Sequence, residues 1–353
     1  MKFCNARTRA LDPYTPGEQP RIENLVKLNT NENPYPPSPR AIEAMRAAVG
    51  EGLRLYPDPE SVELRRAVAK RHNVSLEQVF VGNGSDEVLA FAVAALADPG
   101  LGMRFFDITY SFYPVYAQLM GIPAHVIALN DDLTVPIEKC FGNDSMLLFP
   151  NPNAPTSLAL PLEAVRLMVE SNPDHAVVVD EAYVEFGAQS AVELVNGYEN
   201  LLVIRTLSKS HALAGLRVGY AVGSAGIIEG LNRVKNSFNS YPLDRIAQAG
   251  ATAALLDEDY LLECSGRIQK TRAKALRDLR ALGFDCPEAL GNFLFARHPQ
   301  KGGRELFAAL RAQGVLVRRF DKPRIGEYLR ISIGTDEQMQ RLIEALQRAL
   351  GEG

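Results

Sequence analysis

Residues 203–223 read VIRTLSKSHALAGLRVGYAVG. Two apolar, β-branched runs flank a stretch of hydroxyls, alanines and leucines. That stretch holds a lysine, Lys209, and, eight residues on, an arginine, Arg217. The runs predict two strands close in sequence, so an antiparallel pair fits them. Taken alone, the segment between them is a loop with a solvated lysine, and its meaning depends on what surrounds it.

Upstream, the same kind of apolar run recurs. QVFVG (78–82), MRFFDI (103–108), AHVIAL (124–129), SMLLFP (145–150) and HAVVVD (175–180) precede LLVIR (201–205) and RVGYAVG (217–223). Between many of them lie helical patterns such as SDEVLAFAVAALAD, YPVYAQLMG and PLEAVRLMVES. Strands alternating with helices predict βαβ units, and the seven runs predict an α/β fold with one large, mostly parallel sheet covered on both faces. Residues 1–40 are rich in proline and asparagine and predict an extended arm rather than a packed element. Ser38 and Pro39 predict the cap and first position of the first clear helix. Beyond NSFNSYPLDR the rhythm changes to long helices, then NFLFARH, GRELFAALRAQ, VLVRRF, YLRISIG and a closing helix. The expected organisation is therefore an N-terminal arm (1–40), a large domain (41–245) and a small α+β domain (246–353), with the arm folding back onto the small domain.

Composition narrows the function. The 353 residues carry a net charge of −4 and no basic block, which disfavours nucleic acid or an anionic membrane as partner. No apolar run is long enough to span a bilayer, and the N-terminus lacks the apolar core of a signal peptide. Four scattered cysteines form no CxxC pair, so no zinc site is expected and a reducing, cytoplasmic setting is.

In a parallel α/β sheet, ligands bind beyond the carboxyl ends of the strands. The polar residues just after each run are therefore the candidates. GNGSDE offers Gly84, Ser85 and Asp86 at a helix start; TYSFY offers Tyr110; NPNAPTS offers Asn153; DEAY offers Asp180 and Tyr183; TLSKS offers Thr206, Ser208 and Lys209. Each has a plain structural reading as a cap, a turn or core. GNGSDE is also not a dinucleotide fingerprint, because Glu87 stands where the third glycine would be. Their joint placement at one sheet edge is harder to assign to structure. Pyridoxal phosphate needs all of them: a lysine for its aldehyde, a carboxylate for its ring nitrogen and a donor for its phenolic oxygen. Its phosphate needs a helix N-terminus, hydroxyls and a cation, and its ring needs an aromatic. Lys209, Asp180, Tyr183, the Gly84–Asp86 turn with Thr206, Ser208 and Arg217, and Tyr110 fill those roles.

DEAY followed by SKSHALAGLRVGY resembles the signature of the fold-type I pyridoxal-phosphate enzymes, specifically the class I/II aminotransferases. The resemblance runs over nearly the whole chain. LDPY, KLNTNENPYPPSP, RLYPDPES, VGNGSDEV, ITYSFYPVYA and YLRISIGT resemble the histidinol-phosphate branch of that group. The resemblance implies that Lys209 binds the cofactor covalently and later moves the α-proton. It implies a homodimer in which Tyr56 reaches the neighbouring subunit's cofactor phosphate. The substrates it implies are glutamate and imidazole acetol phosphate, with Arg318, Arg330 and Tyr14 as their binding residues. Arg318 and Arg319 point to opposite faces of a strand, and the resemblance favours Arg318 for the pocket. Family members often carry NPNNPTG where this chain has NPNAPTS, with Ala154 in place of an asparagine that bonds the cofactor's phenolic oxygen. Tyr183 alone, Asn153 or a water then serves that oxygen. An aromatic or broad-range aminotransferase and a threonine-phosphate decarboxylase share the scaffold and stand as alternatives. A non-catalytic cofactor-binding regulator would need a DNA-binding domain, and none is visible.

Overall fold

The structure, a computed structural model, describes residues 1–142 and 144–351. Twelve strands are described: β1 (Val26–Lys27), β2 (Val79–Asn83), β3 (Met103–Phe106), β4 (Ala124–Ile127), β5 (Met146–Pro150), β6 (Val177–Asp180), β7 (Leu201–Thr206), β8 (Val218–Gly223), β9 (Phe293–Ala296), β10 (Val315–Leu316), β11 (Arg318–Arg319) and β12 (Leu329–Ser332). All seven upstream runs are strands of one sheet, in the order β2-β8-β7-β6-β5-β3-β4. The β7–β8 pair is antiparallel, and β8 also runs antiparallel to β2; the remaining pairs are parallel.

The sheet is covered on both faces, which is why its strands read as nearly continuous apolar runs. Side chains alternate between two cores with the two-residue period of a strand. Val177, Val179, Leu201 and Val203 enter one core, whereas Val178, Leu202 and Ile204 enter the other. The edge strand β4 is the exception, with Val126 exposed.

A third core lies under the antiparallel sheet β11-β12-β9 and the closing helix Asp336–Leu350. Three expectations need correction here. The run VLVRRF is not one strand. It changes partner at the buried Val317, so that β10 pairs with β1 while β11 pairs with β12. Residues 1–40 are not wholly unpacked either. A short helix, Ala6–Ala10, is capped by Asn5, and β1 pairs in parallel with β10, burying Val26 and Leu28 in the third core. These two apolar residues dock because they alternate around Lys27, a pattern too short to register among prolines and asparagines.

The expected division at residue 245 also shifts. The helix Arg245–Leu255 begins there, but it packs against the helix Pro39–Ala48 and places Ala247, Ala251, Ala254 and Leu255 in the core of the large sheet. The third core draws on the next helix, Glu258–Ala281, through Ile268, Ala275, Leu276 and Leu279. An alanine-rich helix carries little sequence sign of which core it joins. As read from Ser38 and Pro39, the helix Pro39–Ala48 has the serine as its cap, with Ser38 Oγ accepting from the Arg40 N–H.

Candidate active site

A cavity of about 320 Å³ opens at the carboxyl ends of the parallel strands, between the large sheet and β11–β12. Parallel strands point their last residues at one edge, and the loops that follow supply the walls. Asp180 ends β6, Thr206 ends β7, and Ser208 and Lys209 follow it.

Lys209 lies half-buried against the cavity, and its Nζ donates to the Thr30 carbonyl at 3.0 Å. Among the described residues it pairs with no carboxylate. Burial, assisted by the Arg330 charge, depresses its pKa to about 8. Asp180 is buried and accepts from Tyr113 Oη at 3.0 Å and from the Ala182 N–H at 3.2 Å. It too lacks an ionic partner among the described residues, and burial raises its pKa to about 7.

The second wall is the start of the helix Gly84–Leu96, where Ser85 and Asp86 line the cavity. Its first N–H groups have no carbonyl four residues back to bond. Gly84 has φ +79°, and a Cβ there would collide with the Arg217 guanidinium, which lies over the helix start. Gly219 is equally constrained, since a Cβ would meet the backbone of Gly84 and Ser85. Arg217, itself at φ +56°, pairs with Asp86 at 3.2 Å and donates to Ser208 Oγ at 3.4 Å. A helix N-terminus, a guanidinium and the hydroxyls of Thr206 and Ser208 together form an anion site. Tyr110 borders it and donates to Asp86 at 2.8 Å.

The third wall holds two arginines. Arg318 and Arg330 are direct cross-strand partners on β11 and β12, so their side chains share a face. Arg330 donates to the Asn29 carbonyl at 2.7 Å, its Nε is buried without a partner, and burial lowers its pKa. Arg318 donates to the carbonyls of Thr15 and Pro16. Among the described residues neither has a carboxylate partner. Like charges directly opposite each other cost stability, and an anion between them would relieve that cost. Arg319 points away and bonds Gly326 and Asp321. Tyr14 stacks on Phe112 at 4.3 Å and borders the cavity.

The structure thus brings Lys209, Asp180, Tyr183, Ser85, Asp86, Tyr110, Thr206, Ser208, Arg217, Tyr14, Arg318 and Arg330 to one cavity, with Gly84 directly under Arg217. Asn153 is expected at this cavity and does not line it, and Tyr56 is expected at the partner's site rather than at this one. Asn153 turns its amide to the Ile108 carbonyl and to Thr156 Oγ1, each at 3.1 Å, and Ala154 faces the cavity in its stead. Tyr56 stacks on Tyr241 at 4.7 Å on the surface, where it is 80% exposed. Sequence reading missed Tyr113, which holds Asp180, and the segment 29–33. There Thr30 meets Lys209, Asn31 donates to Tyr183, and Asn33 donates to the carbonyls of Lys209 and Ser210. The asparagines of NTNEN were the available signal, since an amide away from a turn usually has a specific partner.

The donor set fits pyridoxal phosphate. An amine free of carboxylates, a buried carboxyl free of cations and an anion site at a helix start open onto one space. No helix is long and apolar enough to cross a membrane, and no cluster of metal-binding side chains occurs, both among the described residues.

Comparisons agree with this geometry. The family model for aminotransferase class I and II matches residues 23–346. A histidinol-phosphate aminotransferase of Marinomonas sp. (strain MWYL1) is 54% identical over 348 residues, covering 98% of this chain and 99% of that protein. Histidinol-phosphate aminotransferase 2 of Dechloromonas aromatica is 52% identical over 354 residues, covering 99% of each. Among solved structures, the histidinol-phosphate aminotransferase of Sinorhizobium meliloti in complex with pyridoxal-5′-phosphate superposes with a TM-score of 0.82 at 25% identity, covering 92% of this chain and 90% of that one. With cavity and relatives in agreement, the chain belongs to the class I and II aminotransferases and, within them, to the histidinol-phosphate aminotransferase family.

Proposed function

We propose that this protein transfers an amino group from glutamate to imidazole acetol phosphate, giving 2-oxoglutarate and L-histidinol phosphate in histidine biosynthesis, with pyridoxal phosphate as cofactor. The observation that carries the reading is a set of unmatched charges on one cavity: Lys209, Asp180 and the Arg318–Arg330 pair. Relatives at 52–54% identity over almost the whole chain carry the name of that activity.

When bound, pyridoxal phosphate supplies a ring that accepts the electrons released at the substrate α-carbon and stores the amino group between half-reactions. Lys209 is the amine that holds its aldehyde carbon. Burial holds the Lys209 pKa down at about 8, which favours the neutral amine that bonding to an aldehyde requires, and the same amine, when released, is the group placed to take the α-proton and return it. Asp180 keeps the ring nitrogen protonated, an ion pair that answers its own lack of a cation. Tyr113 holds that carboxylate in place. Tyr183 donates to the phenolic oxygen, and Asn153, engaged elsewhere, is left out of the role. The first N–H groups of the Gly84–Leu96 helix, with Thr206, Ser208 and Arg217, hold the cofactor phosphate, and Tyr110 covers the ring.

Glutamate brings an α-carboxylate and the second substrate a phosphate. Guanidinium forks bind either anion bidentately. Arg330 and Arg318 fill that role, and Tyr14 closes over them. The protein acts as a homodimer. Tyr56, standing on the surface beside the exposed Leu53 and Leu55, completes the partner's phosphate site.

Purified protein loaded with pyridoxal phosphate is expected to form 2-oxoglutarate beyond one equivalent per subunit only when glutamate and imidazole acetol phosphate are both present. Release of carbon dioxide from threonine phosphate, with no reaction of the first pair, would replace this reading with the decarboxylase.

A further inference from the structure

Tyr183 is buried, and its oxygen meets one protein group among the described residues: Asn31 Nδ2, at 3.1 Å. The direction of that bond decides what Tyr183 offers the cavity. If its oxygen accepts from Asn31, its proton is free for a ligand. If its proton goes to Asn31, the cavity meets only a lone pair.

We infer that Asn31, oriented by Ser332, is a positioning residue that fixes Tyr183 as a hydrogen-bond donor into the cavity. The inference rests on the role proposed above for Tyr183.

The order of donors can be followed from a group whose polarity is not adjustable. The Asn31 backbone N–H donates to Ser332 Oγ at 2.8 Å. A hydroxyl that accepts there still has one proton to place. Ser332 is buried, and among the described residues the acceptor within reach is Asn31 Oδ1, at 3.0 Å. That bond commits the oxygen end of the amide to Ser332 and turns its NH2 end to Tyr183. Turning the amide over would leave the buried Ser332 proton without an acceptor among the described residues, which costs roughly 1–3 kcal/mol. The Tyr183 oxygen therefore accepts, and its own proton points away from Asn31. The loop itself is pinned, because Asn292 Nδ2 donates to the Asn31 carbonyl at 3.0 Å and the Ser332 N–H donates to the Leu28 carbonyl at 3.0 Å. Ala154, which also borders the cavity, has no side-chain donor to substitute for Tyr183.

The test titrates the visible absorbance band of the bound cofactor with pH. A donor to the phenolic oxygen stabilises its negative charge and weakens its hold on the neighbouring proton. Tyr183→Phe should therefore raise the midpoint by about one pH unit or more. Asn31→Asp keeps size and shape but can only accept when ionised, so it draws the Tyr183 proton out of the cavity. It should raise the midpoint in the same direction and by a similar amount. In the Tyr183→Phe background it should add nothing. Ser332→Ala should give a smaller rise, and Ser332→Thr should restore the original midpoint. The thermal midpoint of each apoprotein separates loss of fold from loss of polarity. A shift with Tyr183→Phe but none with Asn31→Asp or Ser332→Ala would overturn the inference while leaving the role of Tyr183 intact. An Asn31→Asp shift that persists in the Tyr183→Phe background would reduce it to a general charge effect and overturn it too. No shift with Tyr183→Phe would remove the role of Tyr183, and the inference with it.

Discussion

Asp180 and Glu181 are consecutive, both buried, and both have pKa values raised by burial, yet they belong to opposite kinds of site. Glu181 looks into a closed ionic cluster. Arg205 Nε reaches it at 3.0 Å, Ser190 Oγ at 2.7 Å and the Ala191 N–H at 2.5 Å. Arg205 also holds Glu185 Oε1 at 2.8 Å, and Arg71 reaches the same oxygen at 3.3 Å. Every charge there has a counter-charge from the protein. Asp180 looks into the cavity and has hydrogen bonds but no cation. The difference teaches how to tell a structural charge from a working one. Burial perturbs both, so a shifted pKa does not separate them; the presence of a built-in partner does.

The largest effect that could break this comparison is on turnover. Lys209→Ala is expected to lower the amino-transfer rate by roughly 10⁴-fold or more, since it removes both the covalent anchor and the proton carrier. The apoprotein's denaturation midpoint should fall little, because among the described residues no carboxylate is ion-paired with Lys209 and only the more distant field of groups such as Glu32 and Asp86 reaches it. A clear loss of stability would show that Lys209 is matched after all. Arg205→Ala reverses the pattern. Leaving Glu181 buried alone is expected to cost roughly 3–5 kcal/mol in urea unfolding. A cost below about 1 kcal/mol would place the cluster in effective contact with solvent.

Of similar scale, but read as a slope, is the pH dependence of the apoprotein. Asp180 has its folded pKa raised to about 7, so between about 4 and 7 the native state binds the extra proton. Stability contributed by this group is therefore lost as pH rises through that window. Asp180→Asn should flatten that decline in thermal midpoint; an unchanged slope would assign it to other groups. Lys209 has its folded pKa lowered to about 8, so between about 8 and 10.4 the unfolded chain binds the extra proton, and stability gains as pH rises there.

Arg330→Lys should weaken each half-reaction by roughly 1.5–3 kcal/mol of lost charged hydrogen bonding, followed separately by stopped-flow absorbance. Loss confined to the glutamate half would move the phosphate to Arg318. The smallest effect sharpens the rule from its other end. Arg166 is matched by Glu163 and Glu170, but all three are on the surface where solvent screens them, and Arg166→Ala should leave the midpoint of the same unfolding assay essentially where it is.

The large sheet was legible in the sequence because its strands are buried on both sides, and Val177–Val179 or Leu201–Ile204 can hardly be anything else. The sheet also carries the residues that follow each strand to one edge, so Lys209 and Asp180 were legible with it. What stayed hidden depends on contacts across the chain. Nothing near Ser332 announces Asn31, and nothing in NPNAPTS says that the Asn153 amide turns to Ile108. The helix Arg245–Leu255 could not be assigned to a core from its alanines. The split of VLVRRF between two sheets depends on where β1 docks.

The bond between Asn31 and Ser332 spans 301 residues. On a ribosome adding roughly 5–20 residues each second, Asn31 emerges about 15–60 seconds before its partner exists. The strands β2 to β8 and the anion site can assemble in that interval, while Tyr183 waits without a fixed proton. A nascent or truncated chain ending before residue 332 would thus be able to gather the cofactor's anchors without being able to set their polarity. On the role inferred for Asn31, completion of the last strand, rather than of the central sheet, sets the polarity that Tyr183 presents to the cleft.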